Sequence, residues 1–133
     1  GPFAARASRV VADGALLLGD AAEFFDPFTG EGIYRALRGA ELAAATVLPA
    51  LLRGGTPSRR TLLPYAAARR AEFAGHWVVE RIIGWMMEAP ALFDRAVRRI
   101  ERRGLADRLI GVTGDLLPAS TVLSPGFLLR TLL

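Results

Sequence analysis

The amino-acid sequence predicts a mainly α fold with a short β-hairpin near its start. Three observations lead there. Asp13-Gly14 separates two short apolar runs, residues 6–12 and 15–18. Residues 30–52 and 61–88 carry apolar side chains at three- and four-residue steps, the helical period. A third stretch, residues 91–104, lies between Pro90 and Gly104, a helix start and a helix stop.

Each element has its own reason. Asp-Gly between apolar runs favours a tight hairpin, because both residues accept positive φ. The second run, "ALLL", does not alternate, so it reads as a strand buried on both faces and ending at Gly19-Asp20. The first long helix starts at Gly30 or Glu31 and runs to about Leu52. Ile33, Leu37, Ala40, Ala44, Val47 and Leu48 recur along it, with Arg35, Arg38 and Glu41 between them. Thr29 is suited to the N-cap. Pro49 should bend or end this helix, and "RGGTPS" is a loop. In the second long helix Pro64 is placed in the first turn, where a missing N–H costs little. Gly104 suits the cap of the third helix. Residues 105–110 read as one more short helical turn, 111–126 as irregular, and 127–133 as a final helix. Two regions result, 1–53 and 54–133.

The composition sets bounds. The 133 residues are 52% apolar, enough for a core. The net charge is +4, and all 17 basic residues are arginine. They are dispersed among 13 acids with no long basic block, so nucleic-acid binding is not expected. Without cysteine there is no disulfide, thiol catalyst or cysteine metal site, a composition compatible with the cytoplasm. Charges interrupt the opening "GPFAARASRV", unlike a signal peptide. The longest uncharged runs fall short of the roughly 20 residues needed to span a bilayer.

The stretch "GDAAEFFDPFTGEGIYRAL", residues 19–37, concentrates unusual residue types. A carboxylate at the end of a buried strand sits where open α/β sheets bind ligands. Ionised Asp20 accepts hydrogen bonds only, which suits sugar-alcohol hydroxyls. Ala21 and Ala22 leave room for a close ligand, and Pro27 stiffens the loop. Gly30 and Gly32 expose backbone N–H groups at a helix start. A helix N-terminus carries roughly half a positive charge. A ring anion ~4 Å away, at an effective dielectric of ~20, would gain about 2 kcal/mol. For a two-electron couple that is about 40 mV.

The run "GALLLGDAAEFFDPFTGEGIYRALRGAELAA" strongly resembles the second FAD-binding motif of the large flavoprotein oxidoreductases, which include aromatic hydroxylases of the p-hydroxybenzoate hydroxylase type and geranylgeranyl reductases. "DPFTGEGIY" is most similar to the geranylgeranyl-reductase branch. The resemblance implies a C-terminal fragment of an α/β FAD-binding, Rossmann-like flavoprotein. It implies FAD as cofactor and NAD(P)H as a candidate reductant. Within the family the Asp of the Gly-Asp pair (Gly19-Asp20 here) holds the ribityl chain. The residues after the Pro (Pro27) meet the flavin ring, and the helix-opening glycines meet its pyrimidine edge. Those roles fall to Asp20, to Pro27, and to Gly30, Gly32 and Ile33. "GPF" at 1–3 and "GVTGD" near the end also resemble C-terminal pieces of such reductases.

One departure matters. The fingerprint G-x-G-x-x-G is absent; "GEGIYR" ends in Arg and lacks a strand immediately before it. The family's substrate-binding sheet is absent too. The resemblance therefore implies an enzyme about three times as long, with a separate N-terminal FAD-binding half as partner and weak FAD binding by this segment alone. The implied reaction is electron transfer from flavin to an unsaturated hydrophobic small molecule, with membrane-surface contact as a further expectation. No side chain reads as an acid–base catalyst, because the cofactor performs the difficult chemistry. Two alternatives stay open: a flavin-dependent aromatic monooxygenase or halogenase, and a non-enzymatic helical interaction module.

Other residues read more plainly. Glu72, His76 and Glu80 form an E-x-x-x-H-x-x-x-E pattern, taken as a solvent stripe and not a metal site. Trp77, Trp85, Met86 and Met87 read as core packing, or as the border of a lipid-like channel under the reductase resemblance. Glu31 is expected to face away or to touch neighbouring protein, and Asp26 to serve a turn. Arg35 and Arg38 are expected on a solvated or domain-facing side. Residues 98–103, "RRIERR", read as a solvated helix end.

Overall fold

The computed structural model describes residues 5–24, 30–114 and 116–132. Short strands come first: β1 (Ala5–Arg6), β2 (Val11–Ala12) and β3 (Ala15–Leu16). A single helical turn, α1 (Gly19–Ala22), leads into β4 (Glu23–Phe24). Helices follow: α2 (Gly32–Leu52), α3 (Arg59–Met87), α4 (Pro90–Arg102), α5 (Ala106–Thr113), α6 (Ser120–Leu123) and α7 (Pro125–Leu132). The fold is mainly helical with a short hairpin, as the sequence predicts. The chain divides into two compact units, Gly1–Glu72 and Phe73–Leu133, and α3 contributes to both.

In the first unit β2 and β3 form the predicted antiparallel hairpin, pairing Val11 with Leu16 and Ala12 with Ala15. Gly14 takes φ +69°, the left-handed conformation its turn requires. The Asp13 carboxylate accepts the Arg59 N–H at 2.6 Å, and the Gly14 N–H donates to the Pro57 carbonyl at 2.8 Å. The turn is thus fixed to the start of α3. β1 pairs antiparallel with β4, Ala5 opposite Phe24 and Arg6 opposite Glu23. Val11, Ala43, Leu62 and Tyr65 form the core here, flanked by Val10, Leu16, Leu42, Val47 and Ala66.

Two expectations are corrected in this unit. "ALLL" is not a strand buried on both faces: β3 covers two residues, Ala15 is exposed, and Leu18 is 37% exposed. Its ladder partner is β2 alone, so among the described residues no second strand covers it. Next, the large apolar residues of α2 face outward, Ile33 at 78%, Leu37 at 65% and Leu48 at 58% exposure. The buried positions are Arg35, Gly39, Ala43 and Ala50. Shape explains the reversal. A Cβ on Gly39 would meet Leu18 Cδ2 at 3.9 Å, and one on Gly19 would meet Ala36 Cβ at 3.2 Å. Small residues at 36 and 39 let the chain at 18–19 lie close against α2. Pro49 lies inside α2, which ends three residues later at Leu52, as expected. The Arg53 Nε donates to the Pro49 carbonyl at 3.1 Å and so occupies one acceptor of the last turn.

Helix α3 starts two residues earlier than predicted. Ser58 caps it, its Oγ accepting the Thr61 N–H at 3.3 Å. Pro64 is therefore the sixth helical residue and lies beyond the first turn. In the second unit, α4 ends as its glycine predicts. Gly104 has φ +60°, its N–H donates to Glu101 O at 3.1 Å, and the Leu105 N–H donates to Ile100 O at 2.9 Å. That is a Schellman cap with its apolar contact, since Ile100 packs against the cluster containing Leu105. α5 runs to Thr113, three residues past the prediction, and α6 forms within the stretch read as irregular. Ser124 Oγ accepts the Phe127 N–H at 3.3 Å, and Pro125 opens α7. The core here is Val79, Leu105, Val112, Ala119, Val122 and Phe127. No helix among the described residues is long and apolar enough to cross a membrane.

Candidate functional site

The site is built where β3 passes through α1 and faces the start of α2. Gly19 is needed on two grounds: its φ is +49°, and it lies against Ala36. This bend leaves Gly19 buried and Asp20 exposed. A Cβ placed on Gly32 would meet Asp20 Oδ1 at 3.8 Å. The carboxylate and the first residue of α2 therefore lie side by side. Gly30 has φ +73° with open space around it, so glycine there serves conformation and not closeness.

The first intrahelical bond of α2 runs from the Arg35 N–H to Glu31 O at 3.0 Å. The amides of Gly32 and Ile33 precede that ladder and point out of the helix end. Glu31 occupies the N-cap position, without a side-chain cap bond. Thr29, proposed from sequence as the cap, lies outside the described residues, as do Pro27 and Asp26. Thus Gly19, Asp20, Gly32 and Ile33 are gathered at one place, with Gly30 two residues before the helix.

Beneath this surface lies a set of ion pairs. Glu31 and Arg35 meet at 2.6 Å with side chains only 5% and 8% exposed. Of the two outcomes expected of each, Glu31 touches neighbouring protein instead of facing away, and Arg35 lies off the solvated side. Pairing explains both, since a buried charge is tolerated when an opposite one touches it. Arg38 is half-buried, reaching Glu72 at 2.9 Å and Glu41 at 2.7 Å. The bond to Glu72, then that to Glu41, holds its guanidinium above the usual range. Arg69 meets Glu23 at 3.0 Å, both buried, and Arg6 approaches the same carboxylate at 3.6 Å. Glu23 directly follows α1, so this pair anchors the exit of the Asp20 turn. The Tyr65 hydroxyl donates to Leu17 O at 2.6 Å and anchors its entry. Burial pushes the Tyr65 phenol above its ordinary pKa, with Arg69 opposing.

Sequence reading missed the Glu23–Arg69 and Tyr65–Leu17 links. The partners stand 46 and 48 residues apart, and nothing in local spacing marks them. The helix face bearing His76 is also corrected. Glu80 is 2% exposed and Glu72 pairs with Arg38, so this is no solvent stripe. Among the described residues no group of three His, Asp or Glu could hold a metal. Trp85 and Met87, read as core packing or as the border of a lipid-like channel, are 63% and 47% exposed and so are not core. The Arg81 guanidinium lies 5.0 Å from the Trp77 ring centroid, a cation–π contact.

Chemically, the site pairs an acceptor-only carboxylate with outward backbone donors. It can take a ligand that offers hydroxyls to Asp20 and carbonyl or anionic oxygens to the amides. A flavin with its ribityl chain has that complement. The glycine at 32 fits such a group, because a side chain there would fill the space beside Asp20.

Comparison with known proteins finds partial relatives. The chain is 33% identical over 93 residues, 69% of its length, to conditioned medium factor receptor 1 of Dictyostelium discoideum, covering 18% of that protein. It is 44% identical over 71 residues, 53% of its length, to the digeranylgeranylglycerophospholipid reductase of Methanoculleus marisnigri, covering 17% of it. Against the reductase of the same name from Methanospirillum hungatei it is 42% identical over 65 residues, 49% of the chain and 16% of the relative. The chain thus spans less than a fifth of the length of these curated relatives. No family model matches it, and no solved structure does.

Proposed function

We propose that this chain is the C-terminal portion of an FAD-dependent oxidoreductase of the geranylgeranyl-reductase type. The observation that carries the reading is the Asp20 carboxylate beside Gly32 at the opening of α2. The partial similarity to archaeal reductases supports it at the level of the family. It favours the reductase reading over an aromatic monooxygenase or halogenase.

In this reading Asp20 accepts hydrogen bonds from the ribityl hydroxyls. Gly30, Gly32 and Ile33 offer the backbone edge that meets the ring, and Pro27 takes the ring-contacting role that the family motif gives it. When bound, FAD supplies the two-electron transfer, with NAD(P)H as reductant and an unsaturated, hydrophobic molecule as acceptor. The residues of this chain bind and orient, and none of them moves a proton. Residues 1–53 belong to the FAD-binding part and 54–133 to a helical region. The outward face of α2, with Ile33, Leu37 and Leu48, is where the N-terminal FAD-binding half docks. Burying a leucine or isoleucine there contributes about 1.5–3 kcal/mol per side chain. The protein works in the cytoplasm and touches the membrane surface to reach a lipid-like substrate.

The test is the visible spectrum of the protein expressed from its full reading frame. The reading predicts bound oxidised flavin, and at least a tenfold weaker FAD affinity in Asp20→Ala, from losing about 1.5–3 kcal/mol of charge-assisted hydrogen bonding. A colourless protein, or unchanged affinity in the variant, contradicts it.

A further inference from the structure

The buried Glu31–Arg35 pair has no part in holding the cofactor as described. We infer that it is a charge-balancing pair that sets the reduction potential of the flavin at the α2 start, Glu31 opposing and Arg35 favouring negative charge on the ring. This rests on the flavin reading above.

The placement carries the argument. Glu31 stands between Gly30 and Gly32, and Arg35 follows one turn later. Their contact is 2.6 Å, and their side chains are 5% and 8% exposed. Charges that far from solvent are weakly screened, so each acts strongly on whatever lies at the helix end. A lone carboxylate here would cancel the half-positive character of the helix N-terminus. Arg35 restores it. A buried ion pair is seldom more stabilising than an apolar pair of the same volume. Stability alone is thus a weak reason for two charges at this point. Asp20 adds a negative charge nearby, but it is exposed and unaltered in every variant below.

Removing one charge at a time gives opposite signs. Glu31→Gln removes one buried negative charge at the helix start and should raise the potential. Arg35→Met removes one buried positive charge there and should lower it. The double variant has no charge at either place and should return close to the parent. Each single shift is expected at about tenfold in the ratio of affinities for the two redox states, or about 30 mV for a two-electron couple.

The experiment is spectroelectrochemistry of the flavin in the full-length protein, in mildly alkaline buffer, for the parent and three variants. Opposite shifts with recovery in the double variant establish the role. Shifts of one sign, or none, with loss of flavin or of thermal stability, overturn it and leave an architectural pair. Should Arg35→Met fail to fold, Glu31→Gln and the double variant decide: a rise, then recovery, is required. A flavin-bound parent with unmoved variants sinks this inference alone. A parent that binds no flavin sinks the flavin reading and this inference with it.

Discussion

Around Tyr65 the interior carries several buried charges, whereas around Phe127 it is mainly apolar. The first unit buries Glu23, Glu31, Arg35 and Arg69 beside Val11, Ala43, Leu62 and Tyr65. The second packs Val79, Leu105, Val112, Val122 and Phe127, with Glu80 and Thr131 as its buried polar residues. Apolar packing is non-directional and tolerates small shifts in the backbone. Hydrogen-bonded ion pairs fix distances and angles. The first unit uses them at both ends of the Asp20 turn, Tyr65 at Leu17 and Arg69 at Glu23. The contrast separates a region whose geometry must be exact from one that supplies bulk.

Two substitutions of similar cost should break that contrast most sharply. Phe127→Ala removes a buried aromatic side chain and should cost about 3–5 kcal/mol in chemical denaturation. Arg69→Met removes the 3.0 Å partner of the buried Glu23 carboxylate, leaving Arg6 at 3.6 Å, and should cost up to about 3–5 kcal/mol. Their effects on FAD affinity should differ. Measured where both variants remain folded, Arg69→Met weakens it and Phe127→Ala does not. Equal losses of affinity would erase the distinction. The double change Glu23→Leu with Arg69→Met should recover much of the stability but not the affinity, because the anchor of the turn is still gone.

A smaller effect sharpens the same point through pH. Tyr65→Phe should cost about 1–2 kcal/mol by leaving Leu17 O without its donor. Burial raises the folded-state pKa of Tyr65 above the ordinary 10.0. The unfolded chain therefore loses this proton first as pH rises. The stability that Tyr65 contributes is complete below about pH 10 and declines above it. Urea titrations across that range should show the decline in the parent and its absence in Tyr65→Phe. A parallel decline in both would assign it to other groups.

Much of the architecture was legible where a single residue dictates backbone shape. Asp13-Gly14 gave the hairpin, Gly104 the end of α4, and Gly19 and Gly30 occupy the positive φ values that glycine serves. Periodicity located α2, α3 and α4 within two residues at most boundaries. It misjudged which side of α2 is buried. Hydropathy favours Ile33 and Leu37, but the neighbouring segment packs through Ala36 and Gly39, where small size decides. Pro64 lies deeper in α3 than its spacing suggested, because the helix starts at Arg59, while α2 ends at Leu52 as expected. At the site, the special residue types of 19–33 could be read, because their conformations are local. The buried partners Glu23 and Arg69 could not, since their meeting depends on the path of the whole first unit.

The most direct measurement is the structure of the complete polypeptide with FAD bound. A carboxylate oxygen of Asp20 is expected within hydrogen-bond distance of a ribityl hydroxyl, with the Gly32 backbone against the ring edge. A flavin seated elsewhere, with both residues out of reach of it, would overturn the proposed role of Asp20 and Gly32.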